Sequence, residues 1–181
     1  MSIRPHNWPD LLVLRETLPR DGWEGHPNFS RLTRFWLDRH LMFRSVLQKL
    51  RSGSQSFLDG NADLLRHGRT TQHYTGFLLT QLHGHHQIED TQYFPRLKLI
   101  DPRLERGFDL LDADHHALDG ILAGFAEAAN GAIRGVQDGD GFSTAEVFRK
   151  ELLMTRRLIN RHLEDEEDLI VPVILHHGFR G

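Results

Sequence analysis

Two segments far apart in the chain present the same chemistry-bearing frame. His85 is followed four residues on by Glu89, then by Asp90 and, further on, Pro95; His162 is followed at the same offsets by Glu166, Glu167 and Pro172. Positions i and i+4 of an α-helix lie on one face a single turn apart, so each imidazole and its carboxylate can reach a common point. An imidazole with a carboxylate, presented twice, is a donor set for metal ions held between helices.

Such frames need long helices to carry them. The spacing predicts a first helix from Asn28 or Ser30 to about Arg51, ended by Ser52-Gly53-Ser54, with Leu32, Trp36, Phe43, Leu47 and Leu50 on one face and His40 among them. A second helical region starts near Asn61, is weakened by Gly68, carries Leu78, Leu82, His85 and Glu89, and is stopped by Pro95. Pro102 suits the first turn of a third helix, whose stripe Leu104, Phe108, Leu111, His115, Leu118, Leu122, Phe125 alternates by four and three. Gly131–Gly141 reads as a turn-rich connection, including Asp138-Gly139-Asp140-Gly141, a turn rather than a calcium loop because Phe142 falls where an oxygen ligand is required. Ser143 and Glu146 then form a capping box for a fourth helix that carries Leu152, Ile159, His162, Leu163, Glu166 and Ile170. Little of the chain alternates as a strand would. The expected fold class is all-α, an antiparallel up-down four-helix bundle over residues 28–181. Residues 1–27, rich in proline, form an irregular N-terminal arm with a short helical stretch near Asp10–Glu16.

The pattern repeats. His40 and His115 are each followed at +3, +6 and +7 by apolar residues, Phe43, Val46 and Leu47 in one case and Leu118, Ile121 and Leu122 in the other. The chain reads as two similar helical hairpins, each giving a lone histidine and then a His-x-x-x-Glu.

Composition bounds the rest. With 181 residues and a net charge of −3, one domain is expected, and a chain without a basic face is not expected to bind nucleic acid. The absence of cysteine excludes disulfides, thiolate zinc sites and iron–sulfur clusters. No apolar run is long enough for a membrane span, and Arg4, Pro5 and Asp10 interrupt any signal-peptide core, so a cytoplasmic protein is expected. Thirteen histidines are the anomaly. His6, His26, His67, His73, His176 and His177 are read as loop, arm or solvated-face residues, and His83 and His116 as outer ones. Glu164, Asp165 and Asp168 are read as a solvated acidic face.

Six groups remain on the core stripes: His40, His85, Glu89, His115, His162 and Glu166. Buried without a partner, each costs several kcal/mol. Four nitrogens and two carboxylates suit a pair of first-row ions better than one tetrahedral zinc.

These residues resemble the hemerythrin-like, or HHE cation-binding, domains over roughly residues 30–175. The resemblance rests on the lone His40, on His85 and Glu89 ahead of Tyr93-Phe94-Pro95, on His115 within Asp114-His115-His116, and on His162 with Glu166. It implies a non-haem di-iron centre in which Glu89 and Glu166 bridge two Fe ions and the histidines are terminal ligands, zinc or manganese being possible substitutes. O2, nitric oxide or peroxide would be the small ligand, bound for sensing, storage or detoxification. There is one departure. Oxygen-carrying members have a second histidine four residues after the third-helix one, where this chain has Asp119. Asp119 and His86 are therefore additional candidate ligands, and reversible oxygen carriage is disfavoured. No catalytic residue is assigned. The rival readings are a di-iron enzyme turning over peroxide or nitric oxide, and an iron- or oxygen-responsive interaction module whose arm moves.

Overall fold

The computed structural model describes residues 14–181; His6, Trp8 and the first part of the helical stretch expected near Asp10–Glu16 lie outside the described residues. Among the described residues every regular element is helical and none is a strand. A 3₁₀ segment, Arg20–Gly25, precedes α1 (Arg31–Leu58), α2 (Leu64–Ile88), a π-helical turn at Glu89–Tyr93, α3 (Phe94–Ile100), a 3₁₀ turn at Pro102–Leu104, α4 (Glu105–Asp138) and α5 (Gly141–His177).

Local chemistry sets the ends. Ser30 Oγ accepts the Thr33 N–H at 3.3 Å at the start of α1, and Asp63 Oδ1 accepts the Arg66 N–H at 2.7 Å at the start of α2, each satisfying an otherwise orphaned donor. Gly60 and Gly178, with φ of 74° and 66°, close α1 and α5 in the left-handed conformation that only glycine adopts cheaply. In both caps the next N–H bonds back five residues, Asn61 to Ser56 at 2.8 Å and Phe179 to Ile174 at 3.2 Å.

Four expectations are corrected. Ser52-Gly53-Ser54 does not end α1, and α2 runs through Gly68 without a break. A Cβ on Gly53 would stand 3.1 Å from Thr70 Cγ2, and one on Gly68 would stand 2.8 Å from Val136 Cγ2. These glycines serve close packing rather than chain breaking. Pro95 does not stop the helical path: the π turn at Glu89–Tyr93 absorbs the register change, and Pro95 sits in the first turn of α3, where its missing N–H has no partner to lose. The connection expected over Gly131–Gly141 is reduced to Gly139 and Asp140, because α4 continues to Asp138. Ser143 consequently lies inside α5, whose first turn is held instead by the Asp140 carbonyl, which accepts from Thr144 N at 3.2 Å and Thr144 Oγ1 at 2.8 Å.

The chain divides into two compact units. One comprises residues 86–117 and 161–181 with the described part of 1–40; the other comprises 41–85 and 118–160. The first has a core of Leu14, Trp23, Trp36, Phe94, Leu97, Phe108, Leu111, Leu169 and Ile174. The second buries Phe43, Leu47, Leu50, Leu78, Leu82, Phe125, Phe148 and Leu152. Burial of each such side chain contributes about 1.5–3 kcal/mol. His67, expected on a solvated face, is a core residue of the second unit: it is 2% exposed and stacks on Phe57 at 4.7 Å. No described helix is long and apolar enough to cross a membrane.

Candidate metal centre

The first unit carries a concentration of buried polar groups. His40, His162 and Glu166 are fully buried, and Glu89, His115 and His86 nearly so. Glu89 is the first residue of the π turn and Glu166 lies on the inner face of α5, one turn after His162. Glu166 Oε1 lies 2.9 Å from His162 Nε2 and 3.0 Å from His115 Nε2, while its Oε2 lies 3.3 Å from His40 Nε2. One carboxylate thus faces three imidazoles.

Ligand atoms converge in two sets. Those of His86, His115, His162 and Glu166 come within 4.8 Å of one another, as do those of His40, His85, Glu89 and Glu166. Glu166 belongs to both sets and Glu89 to one. His86 stacks on His115 at 3.9 Å, so the residue adjacent to the repeat frame faces the cluster. Asp119 is exposed and belongs to neither set. His83 and His116 are exposed, as the sequence suggests.

The two buried glutamates are pushed in opposite directions. Burial, then the neighbouring Glu166 carboxylate, pushes the Glu89 carboxyl well above the usual range. Burial acts on Glu166 in the same direction, but His162, His115 and His40 around it outweigh burial and hold its carboxyl well below that range. Both ring nitrogens of His162 and Oε2 of Glu166 are buried, and the contacts of His162 Nε2 with Glu166 Oε1 and of Glu166 Oε2 with His40 Nε2 are close but not aligned as hydrogen bonds. Left so, each costs about 1–3 kcal/mol. A cation coordinated by His162 Nε2 and Glu166 Oε2 removes that cost at those two atoms, and all the donors are imidazole nitrogen or carboxylate oxygen, which suits iron, manganese or zinc. The residues present fit a metal centre.

A surrounding layer of side chains, to which the sequence pattern gave no role, holds these candidate ligands in place. Asp90 Oδ1 lies 2.7 Å from His115 Nδ1, and Glu167 Oε1 lies 3.0 Å from His40 Nδ1. The relation is crosswise: the acid that ends each His-x-x-x-Glu frame holds the lone histidine of the other hairpin. The recurring acid at the same offset in both frames was the available signal. Trp36, legible only as a core residue, donates its indole N–H to Glu89 Oε1 at 2.6 Å. An apolar pocket formed by Leu32, Trp36, Tyr93, Leu97, Ile170 and Ile174 has Glu89 as its one carboxylate. Arg20 reaches Glu167 at 2.6 Å, and nothing in the sequence pattern marked it.

The family model of the hemerythrin HHE cation binding domain matches residues 31–174. No curated protein and no solved structure matches the chain.

Proposed function

Because the chain belongs to the hemerythrin HHE cation-binding family, we propose that it is an antiparallel up-down four-helix bundle holding two iron ions, with O2, nitric oxide or peroxide as the small ligand. The observation that carries this reading is the pair of four-residue ligand sets sharing Glu166. His86, His115 and His162 would hold one ion, His40, His85 and Glu89 the other, and Glu166 would serve both. Bound iron supplies an open coordination position and transferable electrons for the small ligand.

The chain's own residues do the rest. Asp90 and Glu167 accept from the Nδ1 atoms of His115 and His40, which directs the Nε2 lone pairs inward and makes the rings better donors. Trp36 fixes the Glu89 carboxylate by its Oε1. The apolar pocket beside Glu89 offers few polar contacts to water and favours a small uncharged ligand. Asp119, exposed, adds no oxygen donor, so the site keeps a histidine-rich character that supports ligand binding over turnover of peroxide or nitric oxide.

Metal analysis of protein purified without chelators or a nickel column tests the proposal. Two irons per chain, with a visible absorption band appearing when the anaerobically loaded protein meets air, is the expected result. Protein that takes up zinc, ignores iron and stays colourless would defeat it.

A further inference from the structure

The two lone histidines are held in unequal ways. His115 is held by Asp90, whose side chain is 26% exposed, and among the described residues no arginine or lysine pairs with that carboxylate. His40 is held by Glu167, whose side chain is 6% exposed and links His40 to Arg20: Oε1 lies 3.0 Å from His40 Nδ1 and Oε2 lies 2.6 Å from Arg20 Nη1. Arg20 is itself anchored. Its Nε donates to Asp168 Oδ1 at 2.8 Å and its Nη2 to the Glu164 carbonyl at 3.1 Å, and its guanidinium lies 5.1 Å from the ring of Trp23. Trp23 is buried in the core of the same unit, so the Arg20–Gly25 segment is seated and not merely laid against α5.

We propose that Arg20 is a positioning residue for His40, acting through Glu167, so that the segment before the helices adjusts one half of the metal centre and leaves the other half alone. The argument is geometric. A carboxylate can rotate about its last side-chain bond, and contacts at both oxygens, His40 at Oε1 and Arg20 at Oε2, restrain that rotation. The guanidinium fork fixes it, since three of its donors are committed to three different acceptors on α5. Charge acts in the same direction. A nearly buried Glu167 beside Glu166 would be two adjacent carboxylates in one apolar setting, and Arg20 offsets one of them. Nothing comparable stands behind Asp90, so the repeat supplies the acids and Arg20 supplies the asymmetry.

The inference rests on the two-metal reading for its consequence, and on the hydrogen-bond chain alone for its existence. Full-length protein is titrated with cobalt(II) against a chromophoric chelator to obtain two stepwise affinities, for wild type, Arg20→Met, Arg20→Lys, Glu167→Gln and the Arg20→Met/Glu167→Gln pair. Arg20→Met is expected to weaken one step about tenfold and leave the other unchanged, the size typical of groups that orient a ligand. Arg20→Lys, a point charge without the fork, should restore only part of the loss. In the Glu167→Gln background Arg20→Met should add little, because the route through Glu167 is already cut. Full additivity of the two changes, or equal weakening of both steps, overturns the proposal. If wild type binds no metal, the two-metal reading falls, and the hydrogen-bond chain is read from ¹⁵N shifts of the histidine rings in metal-free protein. There Arg20→Met should move His40 and leave His115 in place; an unmoved His40 overturns the proposal.

Discussion

His115 Nδ1 stands 2.7 Å from Asp90 Oδ1, a contact between the lone histidine of one hairpin and the trailing acid of the other. The bond fixes the ring so that Nε2 is presented to Glu166. Replacing Asp90 with Ala should therefore loosen His115 without removing any ligand. The expected outcome is a fall of about 10- to 100-fold in metal affinity, with helix content by circular dichroism unchanged. Chelator competition measures it, and unchanged affinity would mean that the ring is held by packing against His86 and Phe94 instead.

Glu166 is common to both ligand sets, whereas His85 and His86 each belong to one. Their substitutions should differ in stoichiometry and not only in affinity. His85→Ala and His86→Ala should each cost one ion per chain, while Glu166→Ala should cost both. Metal content after gel filtration decides the matter. A Glu166→Ala protein that still retains one ion would show that the two positions are independent.

Both His-x-x-x-Glu frames, the lone histidines and the all-α class were legible in the sequence because helical periodicity places all of them on core stripes. The helix limits were less so. Gly53 looks like a breaker and Gly68 like a weak point, yet each lies where a Cβ would crowd a neighbour, Thr70 tightly and Val136 to the point of displacing it. A glycine that ends a helix and one that admits a neighbour are the same letter, and only packing separates them. Pro95 misled for a related reason: the π turn before it makes room for a ring that a regular helix would reject. Asp90 and Glu167 repeated visibly, but which histidine each acid would meet depends on how the hairpins fold together. Arg20 belongs to no repeat and had no signal at all.

His67 ties stability to pH. Both its ring nitrogens are buried without a hydrogen bond, between Phe57 and Phe148, and burial lowers its pKa from the ordinary value near 6.5. The folded protein therefore resists a proton that the unfolded chain accepts. Stability is full above about pH 6.5 and is lost progressively as the pH falls below it toward the lowered folded value. His67→Phe keeps the aromatic packing and removes the titration. Urea unfolding of metal-free protein at pH 8 and pH 5.5 should show a smaller loss for His67→Phe than for wild type; parallel losses would mean that the ring reaches water.

Asp101 responds to acid at a lower pH and for the opposite electrostatic reason. Two hydrogen bonds from the Arg103 guanidinium, at 2.8 and 2.7 Å, and one contact with His177 at 3.1 Å outweigh burial and hold its carboxyl at about 2, against an ordinary 3.8. In this range the unfolded chain binds the proton first, so the contribution of Asp101 is complete above about pH 4 and disappears as the pH falls toward 2. Arg103 is largely exposed and screened by solvent, which keeps the effect modest. Asp101→Asn should be less stable than wild type at pH 5, with the gap closing as the pH approaches 2. Urea midpoints for the two proteins across that interval are the measurement. A gap that stays constant would assign the loss to the altered link between α3 and α4, where the Asp101 N–H bonds Leu97 O and its carbonyl accepts from Leu104 N, and not to the charge of the carboxylate.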